Sequence, residues 1–327
     1  MAEKLQITIV GLGIVGASAG LALRRHGDKV LVVGHDKTPA LAAQAKAKGA
    51  VDRTDWNLIH AVSNADRILL ALPINEIRDT LEAIAQDLKP GCVILDTADA
   101  KQQVLEWAAE LLPDNVYLVG GHPILVLEDT DAEHARADLF EGKLFCLTPD
   151  LRVSSQAIRL AADLAEALGA RPFFMDAVEH DGMVAAVEHL PRLMAAALLE
   201  ATSRSASWQD MRKLAGSQYY TSTLVTAEDG RAAISACGAT REHTVRWLDT
   251  LIAELSRWRD RLAAAEDEAL VEAFEHGLEA GRKWLHAQAT GNWDEPLTTM
   301  EMPTSGAFMR SLIGFGRLGR PQEKKRR

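Results

Sequence analysis

The chain has 327 residues, of which 47% are hydrophobic and 25% are charged, and its formal net charge is −10. This length leaves room for two domains, and the balance of residue types is typical of an ordinary soluble protein. The acidic charge argues against nucleic-acid binding, which requires a basic face.

The sequence also gives no sign of a membrane or secretory role. Its apolar runs are shorter than the roughly 18 residues that a membrane span needs. The first six residues lead directly into a predicted strand, without the pattern of a signal peptide. The three cysteines lack metal-site spacing, which predicts a reducing compartment. We therefore predict a cytoplasmic protein without a membrane or nucleic-acid partner.

The first 36 residues combine an apolar strand pattern with closely spaced glycines. Ile7–Val10 predicts a buried strand, and three glycines follow it as G-x-G-x-x-G. A helical pattern over 17–25 and a second strand at Val30–Val33 come next, and Asp36 ends the unit. The first glycine permits a tight turn, the second lets a pyrophosphate approach the backbone, and the third lets helix and strand pack closely. The helix N-terminus offers free N–H groups to phosphates.

This unit predicts a dinucleotide-binding site. Asp36 can accept hydrogen bonds from an adenosine ribose diol, which favours NAD over NADP. His35 and Lys37 flank Asp36 and could attract a 2′-phosphate, so NADP is the less favoured cofactor. The predicted cofactor contacts are Gly11, Leu12, Gly13, Ile14, Val15, Gly16, Asp36 and Lys37, with Leu72 and Pro73 at the carboxyl end of a later strand.

Strand and helix patterns alternate up to residue 175 and then change. The alternation predicts a mostly parallel, doubly wound α/β sheet, a Rossmann domain of residues 1–175. Residues 176–289 predict an all-α domain, with Ala/Leu-rich helices at Gly182–Ser203, Trp208–Leu214, Arg231–Ala265 and Glu268–Gln288. The apolar faces of these helices predict a homodimer, although a large monomeric bundle also fits. Residues 290–327 lack periodicity and predict a loosely ordered tail.

Two residues at the carboxyl ends of neighbouring strands are candidates for catalysis. His122 follows a strand and precedes a proline, and Asp99 follows the strand before it. In such sheets both positions face the place where a nicotinamide lies. A histidine there can take a proton from a hydroxyl group as hydride leaves the carbon. The alternative is a His–Pro turn without chemistry.

A helical stretch of the second domain supplies two candidate substrate contacts. His189 and Arg192 are three residues apart and share a helix face. Pro191 removes one backbone donor and bends the helix. This face predicts either a wall for an acidic substrate or a solvated surface.

The chain resembles the prephenate/arogenate dehydrogenase family, the NAD(P)-dependent enzymes of tyrosine synthesis. The resemblance covers most of Ile7–Leu199 and rests on GLGIVGASAGLAL, ADRILLALP, DTADAK, GGHPI, LFEGKLFCLTP and EHDGMVAAVEHLPRLMAAAL. It implies a Rossmann domain with a helical dimerisation domain, and His122 as the base that holds the ring hydroxyl of a small-molecule substrate. The implied reaction transfers hydride to the cofactor and releases carbon dioxide, which leaves an aromatic ring and needs no metal.

Three positions depart from the family's motifs. Asp99 replaces the serine of D-x-x-S-x-K, Arg192 replaces the last histidine of HLPH, and Gln218 falls at the substrate-binding arginine of G-G-F-R-D-x-T-R. An ionised Asp99 is expected to repel an anionic substrate and to raise the pKa of His122, which would hold it protonated. Two rescues are open: Arg192 supplies the missing cation, or Asp99 orients His122.

Three functions remain open. The first is an NAD-dependent prephenate or arogenate dehydrogenase, and the second is a relative that has diverged to another cyclic or hydroxy-acid substrate. The third is a dinucleotide-binding sensor or scaffold without turnover. His122 and Asp36 argue against the third, because a sensor needs no proton acceptor.

Overall fold

The computed structural model describes residues 4–127, 131–224 and 229–293. The chain divides into two compact units, Met1–Leu255 and Ser256–Arg327. The predicted domain boundary after residue 175 stays a prediction. Most of the predicted tail, from residue 294 on, lies outside the described residues.

The first unit is built on an eight-stranded sheet. Its strands lie in the order β3-β2-β1-β4-β5-β6-β7-β8. All neighbouring strands are parallel except β6 and β7, which are antiparallel. The predicted mostly parallel Rossmann sheet is thus confirmed, and only the two-residue β3 has no signal in the sequence. The strands are β1 (Leu5–Val10), β2 (Val30–His35), β3 (Arg53–Thr54), β4 (Arg67–Leu70), β5 (Val93–Asp96), β6 (Tyr117–Pro123), β7 (Leu144–Thr148) and β8 (Arg171–Phe174).

Helices cover both faces of this sheet. Successive side chains of a strand point to opposite faces. In β4, Leu69 accordingly packs in one buried apolar cluster, whereas Ile68 and Leu70 pack in the other. Two faces buried in this way explain why the strands read as nearly continuous apolar runs. The helices between the strands are α1 (Ile14–Arg24), α2 (Pro39–Ala47), α3 (Leu58–Val62), α4 (Ile74–Ile84), α5 (Gln102–Leu111) and α6 (Ser155–Ala167).

The described residues after β8 are helical, as the sequence predicts, but two of the predicted helices are divided. The stretch Gly182–Ser203 includes a π-helical turn at Ala185–His189. The stretch Arg231–Ala265 breaks at Thr240, whose carbonyl accepts the first bond of the next helix. The helices are α7 (Ala177–Val184), α8 (Leu190–Ser203), α9 (Trp208–Leu214), α10 (Ser217–Thr223), α11 (Gly230–Ala239), α12 (Arg241–Ala263) and α13 (Asp267–Thr290).

One helical run is longer and more apolar than predicted from the sequence. Ala177–Ser203 is long and apolar enough to cross a membrane, judged by length and composition alone. The same run carries His180, Asp181 and His189, which are all buried. Asp181 accepts two backbone hydrogen bonds at the start of α5, so the beginning of this run is tied to the sheet domain.

Candidate active site

The glycine-rich turn between β1 and α1 depends on close backbone contact. Gly11 has a φ of +91°, in the left-handed region that favours glycine. A Cβ on Gly11 would lie 2.2 Å from the carbonyl oxygen of Ala71, and one on Gly16 would lie 1.9 Å from the carbonyl oxygen of Gly11. Neither position has room for a side chain, so the turn brings α1 directly against the strand ends.

Gly13 differs from these two glycines because the space beside it is open. Apart from Gly13 and its two chain neighbours, no atom of the described residues lies within 4 Å of the place that its Cβ would take. Gly13 is the N-cap of α1 and makes no side-chain capping bond, which leaves the first N–H groups of the helix available to a ligand. Leu12 and Ile14 are buried and Val15 is half-buried, so the turn offers mainly its backbone. This cradle fits a pyrophosphate.

Asp36 lies just beyond β2, where the backbone holds its carboxylate. Oδ2 accepts the N–H of Leu12 at 2.7 Å, and Oδ1 accepts the N–H of Thr38 at 2.7 Å. Each carboxylate oxygen has two acceptor sites, so the group can still bind a ribose diol. Lys37 Nζ donates to Glu76 Oε1 at 2.6 Å. Because Lys37 is engaged by an anion, this end of the site favours a diol over a 2′-phosphate.

Leu72 and Pro73 follow β4 and lie on the other side of the glycine turn. Leu72 is half-buried, and its Cδ2 lies 3.1 Å from the place that a Cβ on Gly11 would take. Pro73 is exposed and is the N-cap of α4. Leu72 therefore borders the glycine turn, and cofactor contacts by Leu72 and Pro73 stay a prediction.

Two glycine-to-alanine substitutions are expected to behave differently. Gly13→Ala should leave the thermal midpoint unchanged, because the chain has room for the methyl group, but should weaken NAD binding by about tenfold or more. Gly16→Ala should lower the midpoint, because overpacking costs about 1–3 kcal/mol or more. Calorimetric titration with NAD and thermal unfolding separate the two effects. Unchanged NAD affinity in Gly13→Ala would mean that the pyrophosphate does not approach this turn.

A fully buried ion pair anchors the loop after β5. Lys101 Nζ contacts Asp96 Oδ2, and neither side chain is exposed to solvent. Lys101 Nζ also donates to the carbonyl of Gly121, while Asp96 Oδ1 accepts the N–H of Gly121 at 2.9 Å. The pair therefore holds both backbone polar groups of the residue before His122.

The two glycines before His122 let β6 pack tightly between its neighbours. A Cβ on Gly120 would lie 2.3 Å from Thr148 Oγ1. One on Gly121 would lie 2.4 Å from the carbonyl oxygen of Asp96. His122 follows, beyond the last pair that β6 makes with β5, and its side chain is buried. The G-G-H pattern thus places a histidine at the carboxyl edge of the parallel strands.

His122 is held by a second histidine. Its Nδ1 lies 3.0 Å from Nε2 of His180, and Nδ1 of His180 lies 2.9 Å from Oδ1 of Asp181. If His180 donates to the carboxylate, its Nε2 accepts a hydrogen bond from Nδ1 of neutral His122. This assignment, made from the partners, leaves the lone pair on Nε2 of His122.

Burial lowers the pKa of His122 to about 3, and the neighbouring His180 shifts it in the same direction. Asp99 acts in the opposite direction, but its effect is the smaller one. His122 is therefore neutral near pH 7, which is the form that can accept a proton. The expectation that Asp99 holds His122 protonated is wrong, because it neglected the cost of burying an imidazolium.

Asp99 lies between His189 and Arg192 and contacts both. Its Oδ2 is 3.4 Å from Nε2 of His189 and 3.3 Å from Nη1 of Arg192. Burial alone would raise the pKa of Asp99, but interactions with His189, His122 and Arg192 lower it well below its usual range. The ionised carboxylate is thus matched by a guanidinium. His189 is fully buried and Arg192 is 17% exposed, so the solvated-face alternative is wrong.

The π-helical turn before α8 sets the position of His189. Pro191 has no N–H to donate to the preceding turn, so the regular helical hydrogen bonding is interrupted there. The π-helical turn at Ala185–His189 ends two residues before Pro191. His189 Nδ1 then bonds Thr240 Oγ1 at 2.7 Å, which directs Nε2 of the ring towards Asp99.

Two family models match the chain. The model described as "Prephenate dehydrogenase, nucleotide-binding domain" matches residues 19–173, and the one described as "Prephenate dehydrogenase, dimerization domain" matches residues 176–276. The chain belongs to the prephenate dehydrogenase family. Family membership makes it an oxidoreductase, and the resemblance found in the sequence is confirmed.

Individual relatives agree with this family. A cyclohexadienyl dehydrogenase of Zymomonas mobilis is 30% identical over 277 residues, which are 84% of this chain and 94% of that protein. A prephenate dehydrogenase of Bacillus subtilis is 29% identical over 203 residues, 62% of this chain and 55% of that protein. The crystal structure of A. aeolicus prephenate dehydrogenase with hydroxyphenyl propionate and NAD+ has a TM-score of 0.78 at 22% identity, covering 87% of this chain and 99% of that one. This last likeness shows the shared fold.

Two departures from the motifs of the prephenate dehydrogenase family contact each other. Asp99 stands where the family's motif has serine, and Arg192 stands where it has histidine. The two side chains form one ion pair at 3.3 Å. Arg192 thus compensates the charge of Asp99. The rescue in which Arg192 supplies the missing substrate-binding cation stays a prediction. The other rescue, in which Asp99 orients His122, is wrong because His180 occupies Nδ1 of that ring.

The structure does not bring Gln218 to this cluster within one chain. Gln218 is exposed on α10, and α10 contacts α8 through a bond of 2.7 Å between Thr202 and Tyr219. Thr202 is ten residues beyond Arg192, or about 15 Å along the helix. A role for Gln218 in substrate binding stays a prediction.

Four polar residues of the site were not predicted as functional. They are His180 and Asp181 beside His122, and Asp96 and Lys101 beneath it. All four occur in motifs that carry the family resemblance, DTADAK and EHDGMV. The adjacent His-Asp pair was the available signal, because two such polar residues in an apolar helix need partners if they are buried.

Proposed function

We propose that this chain is an NAD-dependent dehydrogenase that oxidises and decarboxylates a cyclohexadienol, either prephenate or arogenate, in tyrosine synthesis. Membership in the prephenate dehydrogenase family supports this reaction. The observation that carries the proposal is neutral His122, whose Nδ1 is occupied and whose Nε2 is left as the basic atom. The cytoplasm remains the predicted compartment.

NAD fits the glycine turn and Asp36, and when bound it takes up the hydride that leaves the ring carbon. Nε2 of His122 accepts the proton of the hydroxyl on that carbon, so a carbonyl forms as the hydride departs. The ring carboxylate then leaves as carbon dioxide, and its bonding electrons complete the aromatic ring while the carbonyl oxygen becomes a phenolate. Protonation of that oxygen gives the phenol. The residues of this chain supply the base and its orientation.

Asp99 has two opposing effects in this reaction. Its negative charge raises the pKa of His122 and so stabilises the imidazolium that forms on proton transfer. The same charge repels carboxylates of the substrate and pairs with Arg192. Asp99 therefore favours proton transfer at the expense of affinity for an anionic substrate.

The proposal is tested by NADH formation with prephenate and with arogenate. We expect the wild-type chain to form NADH with at least one of them. Asp99→Ser should lower the KM for prephenate by about tenfold, because it removes a like charge and releases Arg192 to bind a carboxylate. Arg192→Ala, which keeps Asp99, should raise that KM. NAD binding without turnover of either substrate would reject the proposed reaction.

We also propose that the chain works as a homodimer. The match to a dimerization domain supports this, and so do exposed apolar side chains on the helices of the first unit. These are Val187, Met194, Leu198, Ile234 and Ile252, with exposed fractions of 67%, 43%, 38%, 62% and 59%. Light scattering at micromolar concentration should give twice the chain mass of 35.6 kDa. A mass of one chain at all concentrations would contradict the dimer.

A further inference from the structure

We propose that His180 and Asp181 form a positioning relay that keeps the proton of neutral His122 on Nδ1 and leaves Nε2 open to the substrate. The inference rests on the proposed function, in which His122 accepts the substrate proton. The tautomer of His122 can be measured without turnover, so the two proposals can fail separately.

The relay is a continuous chain of buried contacts. The two imidazole rings meet edge to face, with centroids 5.2 Å apart and planes at 80°. This geometry lets a ring N–H of one point at the ring nitrogen of the other, and the two nitrogens are 3.0 Å apart. His122, His180 and Asp181 are only 7%, 2% and 0% exposed. Water therefore does not compete for these hydrogen bonds.

Asp181 gives the relay its direction. Its Oδ1 accepts the backbone N–H of Lys101 at 2.7 Å, and its Oδ2 accepts that of Gln102 at 3.0 Å. A backbone N–H can only donate, so these bonds fix the carboxylate as an acceptor at the N-terminus of α5, where a negative charge is also favoured. His180 Nδ1 must then donate to Asp181. His180 Nε2 in turn accepts the proton of His122 Nδ1.

The direction matters because only one tautomer of His122 can act as the base. With the proton on Nδ1, the lone pair of Nε2 is available for the substrate hydroxyl. When Nε2 takes up a proton, the bond from Nδ1 to His180 persists and no ring has to turn. The charged and titratable groups around His122 include His180, Asp99, Lys101 and His189, with Asp181 and Asp96 behind them. The buried thiol of Cys146 belongs to the residue paired with His122 on β7.

The first test measures the tautomer. Protein labelled with ¹⁵N-histidine is studied by long-range proton–nitrogen NMR at neutral pH without substrate. We expect two neutral rings with a protonated Nδ1 and an unprotonated Nε2, those of His122 and His180. The signal that vanishes in His122→Gln is that of His122. A His122 ring protonated on Nε2 would overturn the relay, whether or not the protein turns over any substrate.

The second test removes the acceptor from the relay. His180→Phe should lower kcat by about a hundredfold or more, because enzymes that lose the partner fixing a catalytic histidine's tautomer lose large factors in rate. The KM, the NAD affinity and the thermal midpoint should change little. His180→Gln should recover part of the loss, because its amide oxygen can accept the Nδ1 proton.

The two variants also separate positioning from packing. A merely structural role predicts that both variants lower the thermal midpoint and leave the pH profile of kcat and the His122 tautomer as in the wild type, which would overturn the relay. The relay predicts a mixed or reversed His122 tautomer in His180→Phe. If His180→Phe does not fold, the kinetics of His180→Gln and the wild-type NMR spectrum still distinguish the relay from a merely structural role. Absence of turnover in the wild type would contradict the proposed function, but the tautomer of His122 could still be measured and would still test the relay.

Discussion

Replacing His122 by alanine should lower turnover by about 10²–10⁴-fold, the usual contribution of a positioned general base. NAD affinity should stay nearly unchanged, because His122 lies at the end of β6 whereas the glycine turn follows β1. The measurement is steady-state NADH formation together with calorimetric titration of NAD. His60 is exposed on α3, so His60→Ala serves as the matched control and should retain full activity.

The pH profile of the same assay provides a further check on His122. Because burial lowers the pKa of His122 to about 3, the free enzyme should not lose activity through its protonation between about pH 7 and pH 5. An ordinary exposed histidine would lose activity near its pKa of about 6.5. A loss of kcat/KM near that pH that disappears in His122→Ala would contradict the buried, neutral base.

Lys101→Met should be the most destabilising of the substitutions considered. It leaves the Asp96 carboxylate buried without its cation, and breaking a buried pair in this way costs about 3–5 kcal/mol. It also removes a donor from the carbonyl of Gly121, so the position of His122 should suffer as well. Urea or thermal unfolding gives the free energy, and turnover of the remaining folded protein reports on the site.

A matched substitution at the surface separates burial from charge. Lys4→Met removes the exposed pair between Lys4 and Asp28, which should contribute little to stability because both charges are solvated. The double variant Lys101→Met with Asp96→Asn should recover part of the loss, because no buried charge is left without a partner. Equal losses for Lys101→Met and Lys4→Met would contradict a structural role for the buried pair.

The glycine turn and Asp36 could be predicted because the residues that form this part of the fold lie close together in the sequence. Gly11 and Gly16 lie where a side chain would meet backbone within 2.2 Å, so the sequence spacing reflects steric exclusion directly. Asp36 ends β2 in the same short unit. His122 could be predicted for a similar reason, since the glycines before it and the strand pattern lie in one segment.

The orientation of His122 could not be predicted, because it depends on distant residues. His180 is 58 positions away along the chain, and Asp181 reaches the backbone of Lys101 across 80 positions. Side-chain pairs at such separations follow from the packing of α7 against the sheet domain, which periodicity does not report. The error in the pKa of His122 has the same origin, because burial outweighs the nearby Asp99.

The pairing of Asp99 with Arg192 shows the same limit. Each residue departs from a different motif, and 93 positions separate them along the chain. Their contact at 3.3 Å depends on a π-helical turn that the sequence indicated only as a bend at Pro191. The motif match at Gln218 rests on Gly216 and Thr221 alone, and it does not predict that Gln218 is exposed on α10.

The most direct test of the proposed reaction is its stoichiometry. The wild-type chain is incubated with NAD and with prephenate or arogenate, and NADH, carbon dioxide and the aromatic product are measured in the same sample. Oxidative decarboxylation predicts equal amounts of all three for at least one substrate, and none of them in His122→Ala on the same timescale. NADH without carbon dioxide, or aromatic product without NADH, would contradict the proposed reaction.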